Sequence, residues 1–353
     1  MKKLKVAVVG VGNIAFYHIN GYLKSGKAEL VAFCDINREV LEARGKEFDV
    51  TKLYSDVHEM LRSEPEIDAV SVCTWNSAHA ECAIAALEAG KHVLLEKPMA
   101  IDAEQARKIL AASEKSGSRL MIGFVRRFGN DCAIVQDFLK YGDLGEIYYA
   151  KATYLRRNGN PGGWFGDKSR SGGGPLIDLG VHVIDLVRYL MGNPKAVSVY
   201  GATFRKLGNR PGIKTKAGYL SVSAGEKDVC DVEDLATAMI RFDNGAVLSV
   251  EASFALNLKK DEGVIELFGT KGGIKLDPEF ELFTQQNGYL SDVRLAMPTA
   301  LSFDGLFENE IAHFVDAVSE GTPFRAPGED GVELMKILDA VYRSAETGHE
   351  VCL

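Results

Sequence analysis

One run near the middle of the chain holds residue types that could perform acid/base chemistry. Residues 172–185 read Gly-Gly-Gly-Pro-Leu-Ile-Asp-Leu-Gly-Val-His-Val-Ile-Asp. The three glycines permit a close approach to a ligand, and Pro175 suits the first position of a helix. Asp178 and His182 are four residues apart on that helix, so they share one face. This arrangement predicts an acid/base pair; the alternative is a buried histidine with Asp178 as its hydrogen-bond partner.

The overall composition restricts the class of protein. A chain of 353 residues is long enough for about two domains, and 46% hydrophobic with 25% charged residues is ordinary for a globular protein. The net charge of −8 argues against a nucleic-acid partner, because such binders carry a basic surface. No apolar run approaches the ~20 residues that a membrane helix needs, so no membrane partner is predicted.

The cysteines indicate a reducing compartment. Six are scattered along the chain, and no two form a Cys-x-x-Cys pair. We therefore expect reduced thiols in a cytoplasmic protein. No metal site is predicted, since the spacing of ligand residues is not that of a metal centre.

The first residues predict a strand that runs into a dinucleotide-binding turn. The predicted strand 5–9, apolar from Val6 onward, is followed by Gly-Val-Gly-Asn-Ile-Ala, which fits G-x-G-x-x-G/A. Gly10 forms the turn in this motif, and Gly12 lets the backbone approach a pyrophosphate. The phosphates then lie on the N–H groups of a helix that begins near Asn13 and Ile14.

An acidic residue at the end of the second strand favours NAD as the cofactor. Asp35 follows the strand 29–34, at about the distance from the glycine turn at which a carboxylate binds the ribose hydroxyls. A carboxylate repels a 2′-phosphate, so NADP is less favoured. Arg38 is an opposing signal, because a nearby arginine can accommodate that phosphate. The alternative for Asp35 is a cap for the helix that starts after Asn37.

Short apolar strands alternate with helices through residue 123, which predicts a doubly wound parallel sheet. Ligands of such sheets lie beyond the carboxyl ends of the strands, where this chain has the polar residues Thr74, Asn76, Glu96, Lys97 and Arg126. Pro98 restricts the backbone of Lys97, so we expect a fixed lysine that binds a substrate hydroxyl. The alternative is a lysine that is paired with Glu96 or solvated.

The remaining residues predict a second, α+β domain with an open, largely antiparallel sheet. Long strand-like runs cover 147–155, 196–204, 235–242, 246–255 and 263–269, and the first four are rich in hydrophobes on both faces. Local helices can cover one face, so we expect a second subunit on the other, in a homodimer or homotetramer.

We therefore place an NAD-binding domain at 1–123 and a substrate-binding and oligomerisation domain at 124–353. The position of the two terminal helices, 307–320 and 331–346, stays open, including a return to the first domain. The basic segment 205–228 is interpreted as a substrate lid, a subunit-contact arm or a solvated loop.

These motifs together resemble the Gfo/Idh/MocA family, named for glucose–fructose oxidoreductase, inositol dehydrogenase and rhizopine catabolism. The resemblance runs through the whole chain and rests on 10–15 with His18, the Thr-Trp-Asn-Ser-Ala-His run at 74–79, the Glu-Lys-Pro signature within 90–98, the crossover 123–128 and the run 172–185. Trp75 departs from the family pattern, which has a proline there.

The resemblance implies that Lys97, Asp178 and His182 are the catalytic residues of a sugar or inositol dehydrogenase. It also implies that His79 belongs to the cofactor loop. Residues 158–165 are a candidate substrate loop, in which Trp164 is either a platform for a sugar ring or a packing residue. Two other classes stay open. One is an NAD-dependent glycosidase that oxidises carbon 3 transiently, and the other is a non-catalytic NAD or sugar sensor.

Overall fold

The computed structural model describes residues 3–210, 212–214, 218–225 and 228–353. The chain divides into two compact units, the first formed by 1–128 with 302–332 and the second by 129–301 with 333–353. The predicted lid, arm or loop at 205–228 falls partly on residues outside the described ones, so its role stays a prediction.

The first unit contains the alternating strands and helices that the sequence predicts. Its strands are β1 (Leu4–Val9), β2 (Ala28–Cys34), β3 (Leu53–Tyr54), β4 (Ala69–Val72), β5 (His92–Glu96) and β6 (Leu120–Gly123). They are connected by helices α1 (Asn13–Ser25), α2 (Arg38–Phe48), α3 (Val57–Ser63), α4 (Asn76–Glu88) and α5 (Ala103–Ser116). The strands pair in parallel in the order β3-β2-β1-β4-β5-β6, which confirms the doubly wound Rossmann sheet.

Burial on both faces explains why these segments form parallel strands. Val6, Ala7 and Val8 in β1 are all inaccessible to solvent, as expected where helices cover both sides of a sheet. The helices begin at polar caps: Asn37 accepts the N–H of Val40 at the start of α2. The apolar composition of the strands and the polar caps of the helices therefore fix where each element begins and ends. Parallel strands of this kind have their carboxyl ends at one edge of the sheet.

Helix α9 (Phe303–Glu320) comes from late in the chain but packs on α1 within the first unit. Gly21 provides the close approach, since a Cβ there would lie 2.7 Å from Cγ1 of Ile311. Next to this contact the rings of Tyr17 and Phe307 stack with centroids 5.1 Å apart. The first unit thus extends past residue 123 and includes a segment that the sequence left unplaced.

The second unit is built on a long mixed sheet. Its strands are β7 (Ile147–Leu155), β8 (Ala196–Phe204), β9 (Leu235–Phe242), β10 (Val247–Ser253), β11 (Glu262–Gly269), β12 (Gly272–Asp277), β13 (Glu281–Gln286), β14 (Tyr289–Val293) and β15 (Val351–Cys352). Its helices are α6 (Asn130–Lys140), α7 (Lys168–Ser171), α8 (Val181–Leu190) and most of α10 (Gly328–Thr347). The order is β14-β13-β12-β11-β7-β10-β9-β8-β15. Among these described strands β7 and β10 form the parallel pair and the other neighbours are antiparallel, so the largely antiparallel sheet is confirmed.

One face of this sheet is apolar and the other is mixed. Along β9, Ala238 and Ile240 are buried, whereas Thr237, Met239 and Arg241 lie on the opposite, partly exposed face. The outer side of β9 therefore combines hydrophobic residues such as Met239 with the polar Thr237 and the charged Arg241.

The cysteines are free thiols, and Cys34, Cys73, Cys82 and Cys132 are buried. Burial raises the pKa of Cys34 and of Cys82 to about 12, so both stay protonated near neutral pH. Among the described helices, none combines the length and the apolar character that crossing a membrane requires.

An ion pair inside the first unit gives a test of this architecture. Nη1 of Arg127 lies 2.7 Å from Oδ2 of Asp330, and the side chains are 0% and 10% exposed. Without the guanidinium, Asp330 keeps a poorly solvated charge, so Arg127→Ala should lower the free energy of unfolding by about 3–5 kcal/mol. Urea denaturation followed by circular dichroism measures this loss.

The matched control is Arg38→Ala, which removes the exposed ion pair between Arg38 and Glu42 and should change stability little. Equal losses in the two variants would contradict the importance of the buried pair.

Candidate active site

The glycine turn after β1 leaves space for an anion at the start of α1. Gly10 has φ of +80°, and a Cβ there would lie 2.7 Å from backbone atoms of Cys73 and Thr74, so the crossing of the chain beyond β4 requires a glycine. A Cβ on Gly12 would meet nothing within 4 Å. Gly12 is the N-cap of α1 and has no side chain to cover the start of the helix. Open space at a helix N-terminus fits a dinucleotide pyrophosphate.

Asp35 connects the end of β2 to this glycine turn. Oδ2 accepts the N–H of Val11 at 2.8 Å, and Oδ1 accepts the N–H of Asn37 at 2.8 Å. The cap of α2 is Asn37 itself, so Asp35 is not the cap that the alternative proposed. Arg38 lies on the surface and pairs with Glu42 at 2.8 Å. Asp35 therefore lies beside the turn, whereas the guanidinium of Arg38 is engaged elsewhere.

Arg44 is a supporting residue that sequence reasoning missed. From α2, its Nε donates to the carbonyl oxygen of Val11 at 3.2 Å, and its Nη2 donates to that of Gly12 at 3.4 Å. Its guanidinium also lies 5.6 Å from the ring centre of Phe16 and 5.9 Å from that of Phe48. A mid-helix arginine carries no motif, so only the folded structure shows that Arg44 holds the turn.

His79 joins the two loops that follow β4 and β5. It is fully buried. Its Nδ1 lies 2.8 Å from the carbonyl oxygen of Pro98, and its Nε2 lies 3.0 Å from that of Thr74. Burial lowers the pKa of His79, and the two carbonyl contacts oppose that shift. The side chain thus fixes the loops that carry Thr74, Asn76 and Lys97.

Lys97 follows β5, where a buried carboxylate holds its backbone. Its N–H donates to Oε2 of Glu96 at 3.1 Å, and Oε1 of Glu96 lies 2.8 Å from Nε2 of His18. The peptide bond between Lys97 and Pro98 is cis. Lys97 is half-buried, as is Arg126 in the short helical turn after β6. The first unit therefore gathers the strand-end residues predicted from the sequence.

The glycine run in the second unit serves internal packing. A Cβ on Gly173 would lie 2.0 Å from the hydroxyl of Tyr342, and one on Gly174 would lie 2.5 Å from the carbonyl oxygen of Glu233. At these two positions the expected clearance for a ligand is instead occupied by Tyr342 and Glu233. Gly172 has φ of +81°, which favours glycine for conformational reasons.

Glu233 anchors the start of the helix that carries the acid/base pair. Its carboxylate accepts the N–H of Gly174 at 2.9 Å, the N–H of Leu176 at 3.2 Å and the hydroxyl of Tyr342 at 2.9 Å. Burial raises the pKa of Glu233, and these hydrogen bonds oppose that shift. In the sequence, Glu233 is marked by the acidic pair that it forms with Asp234 just before β9. This pair belongs to no motif with a known residue spacing.

The segment beyond this anchor begins as a π-helical turn. Leu176–Gly180 has π geometry, and the N–H of Val181 bonds to the carbonyl of Leu176. Asp178 therefore lies on the π turn, while His182 lies on α8; the expectation of one regular helix is wrong at its first turn. Both side chains are half-buried. Single π turns occur often at functional sites.

Trp164 lies in a short helical turn of the second unit, half-buried and stacked on Phe165 with centroids 4.0 Å apart. The backbone N–H of Trp164 is 3.4 Å from the hydroxyl of Ser223. The N–H of Ser221 donates to the carbonyl of Pro161 at 2.9 Å. The predicted substrate loop thus contacts the described part of the segment 205–228.

The two units and their residues define a class of protein, an oxidoreductase with a Rossmann domain followed by a second α/β domain. The family model described as "Oxidoreductase family, NAD-binding Rossmann fold" matches residues 4–124. That described as "Oxidoreductase family, C-terminal alpha/beta domain" matches residues 137–353. The chain belongs to the Gfo/Idh/MocA oxidoreductase family, as the motifs indicated, and its cofactor is NAD.

Relatives of this chain are named for reactions of sugars and inositols. It is 35% identical to D-glucoside 3-dehydrogenase of Escherichia coli (strain K12), over 99% of this chain and 97% of that protein. It is 28% identical to myo-inositol 2-dehydrogenase of Thermotoga maritima, over 99% and 98% of the two chains. A structure of levoglucosan dehydrogenase in complex with NADH superposes with a TM-score of 0.86 and 26% identity, covering 99% of both chains.

The two glycines of the cofactor turn should respond differently to substitution. We expect Gly12→Ala to fold normally but to weaken NAD binding by about tenfold or more, because its Cβ occupies the space of the pyrophosphate. Gly10→Ala should lower the unfolding temperature, because its Cβ meets the backbone beyond β4. Thermal unfolding and calorimetric titration with NAD measure the two effects; unchanged NAD affinity in Gly12→Ala would contradict the placement of the cofactor.

Proposed function

We propose that this protein is an NAD-dependent dehydrogenase that oxidises a secondary ring hydroxyl of a sugar, inositol or related polyol, or reduces the corresponding ketone. The proposal is carried by one observation: the chain has all three expected catalytic side chains, and hydrogen bonds to buried carboxylates hold the backbone near them. Lys97 follows β5 with its N–H on Glu96, and Asp178 and His182 follow the turn that Glu233 anchors.

We infer a pyranose, such as a D-glucoside, as the substrate class. Support comes from the full-length relative named D-glucoside 3-dehydrogenase and from the structural neighbour named as a complex with NADH and levoglucosan. Trp164 is proposed to lie against the apolar face of the ring, since aromatic side chains provide that kind of surface.

In the proposed chemistry, two side chains act on the hydroxyl oxygen of the substrate while it is oxidised, and a third orients them. Bound NAD supplies the acceptor for the hydride that leaves the carbinol carbon. His182 accepts the hydroxyl proton, and Lys97 donates a hydrogen bond to the same oxygen and stabilises its developing charge. Asp178 orients these groups around the substrate. Hydride and proton leave together, so the alcohol becomes a ketone.

The cofactor is proposed to rest on the elements of the first unit. Gly10, Gly12, Asn13 and Ile14 provide the pyrophosphate site. Asp35, with Arg38 further out, determines whether the ribose site prefers NAD or NADP. Beyond β4, β5 and β6 the loops offer the remaining contacts, through Thr74, Asn76, His79, Glu96, Lys97 and Arg126.

Substitution of the proposed acid/base groups tests the function. Lys97→Ala and His182→Ala should each lower kcat by about 10²–10⁴, because each removes one group from proton transfer or charge stabilisation. Initial rates of NADH formation over a panel of methyl glycosides, anhydrosugars and inositols provide the measurement.

Lys108→Ala is the control, since Lys108 is exposed and pairs with Glu104. Near-normal turnover by His182→Ala would contradict its role. Release of aglycone without net NADH would favour the glycosidase, and NAD binding without turnover of any sugar would favour the sensor.

The cofactor preference tests the role of Asp35. We expect kcat/KM for NAD to exceed that for NADP by tenfold or more, roughly the effect of 1.4 kcal/mol, because the carboxylate repels the 2′-phosphate. Asp35→Asn should reduce that ratio. A ratio that depends on Arg38→Ala and not on Asp35→Asn would show that the arginine determines the choice.

We also propose that two or four copies associate through the outer face of the second unit's sheet. Tyr200 and Met239 are neighbours in the register there and are 55% and 54% exposed, and the mixed character of this face suits an interface. Multi-angle light scattering should give a multiple of the 38.4 kDa chain mass. A monomer at micromolar concentration would refute this proposal.

A further inference from the structure

Three titratable side chains form a buried cluster in the first unit, next to the backbone of Lys97. His18 comes from α1, Glu96 from β5 and Glu310 from α9, and their nitrogen and oxygen atoms lie within 4.8 Å of one another. His18 and Glu310 are 0% exposed and Glu96 is 5% exposed. The cluster thus joins the sheet to the helix that returns from late in the chain.

Two members of this cluster have well-defined partners. Nε2 of His18 lies 2.8 Å from Oε1 of Glu96, and its Nδ1 lies 3.2 Å from Oγ of Ser71. That hydroxyl is in turn 2.7 Å from the hydroxyl of Tyr22. The other carboxylate oxygen of Glu96 accepts the N–H of Lys97. Both oxygens of Glu96 are therefore committed, one to the imidazole and one to the backbone of Lys97.

Glu310 differs from its neighbours. Both of its carboxylate oxygens are buried, and neither has a hydrogen-bond partner among the described residues. An ionised carboxylate is strongly disfavoured in such a place, and the charge of Glu96 adds repulsion. Something must therefore neutralise Glu310.

The other titratable groups around Glu310 do not supply a positive charge. Tyr22 on α1 and Cys73 beyond β4 face it, and burial raises the pKa of both, so they are neutral. Burial, and secondly the charge of Glu96, raises the pKa of Glu310 itself. The basic side chain of the cluster is His18, and its Nε2 already contacts Glu96.

We propose that Glu310 is kept as the neutral acid, and that this state lets Glu96 hold His18 and the N–H of Lys97 at the same time. If Glu310 were ionised, two carboxylates would repel each other and compete for one imidazole. Glu96 would then release the backbone of Lys97. Glu310 is thus a positioning residue that acts through Glu96, and only the consequence for turnover rests on the proposed role of Lys97.

The alternative is a divalent cation bound by the three side chains. The imidazole nitrogen of a metal ligand offers a lone pair to the ion, whereas Nε2 of His18 lies at hydrogen-bond distance from Glu96. This contact favours the proton over the cation, and the experiment separates them.

A proton bound to Glu310 in the folded protein makes the free energy of unfolding depend on pH. A carboxyl group with a higher pKa in the folded than in the unfolded chain binds more protons when folded, so stability falls as pH rises. The fall begins above the ordinary value of 4.5 and continues to the raised pKa of the folded state. A variant without this carboxyl group lacks that contribution to the fall of stability with rising pH.

The test compares the unfolding temperatures of wild type and Glu310→Gln from about pH 5 to pH 9. We expect the difference, variant minus wild type, to increase with pH by about 2 °C or more. Glu308→Gln is the matched control on the same helix, because Glu308 is partly exposed and pairs with Lys24; its difference in unfolding temperature should stay the same at every pH. Glu310→Met serves if the Gln variant does not fold, since Met also has no proton to release.

A difference that does not change with pH would overturn the proposal. So would a wild-type unfolding temperature that falls with a chelator and rises with Mg²⁺ or Zn²⁺ while that of Glu310→Gln does not, since this would identify a cation.

The positioning role has a separate readout. Glu310→Gln should retain kcat/KM to higher pH than wild type, because the ionisation that loosens Glu96 is absent. An unchanged alkaline limb would overturn this role. Lys97→Ala, measured in parallel, separates the two proposals: full activity there would defeat the role of Lys97 and leave the stability result standing.

Discussion

Carboxylates that accept backbone N–H groups hold the segments on which the proposed chemistry depends. Asp35 bonds the N–H of Val11 in the glycine turn, and Glu96 bonds that of Lys97. In the second unit Glu233 accepts from Gly174 and Leu176 ahead of the acid/base pair. A carboxylate offers several acceptor sites and forms stronger hydrogen bonds than a neutral group. Loops that would otherwise have unpaired N–H groups therefore keep one conformation.

The fold could be predicted from the sequence because its signals are local. The apolar strand that ends at Gly10 and the alternation of strands and helices through residue 123 each depend on neighbouring residues. The short strands β12, β13 and β14 were missed, because residues 272–293 combine turn residues with weakly apolar runs.

The supports of the candidate site could not be predicted, because they depend on contacts between distant residues. Glu233 is 59 residues from Gly174, and Arg44 is 33 residues from Val11. Neither has a spacing that marks its role. Lys97 and His182 could be named from the sequence because they belong to signatures of the family, and their catalytic roles stay predictions. The π turn at Asp178 is a further surprise, since the residue spacing equally suits a regular helix.

The central claim is that a sugar carbon gives hydride directly to NAD on this protein. Methyl glucoside deuterated at every secondary carbinol carbon of the ring, incubated with NAD and enzyme, tests it by mass spectrometry of the nicotinamide product. We expect NADH that carries one deuterium, together with a keto sugar. NADH without deuterium, or a keto product that forms without NADH, would contradict direct hydride transfer.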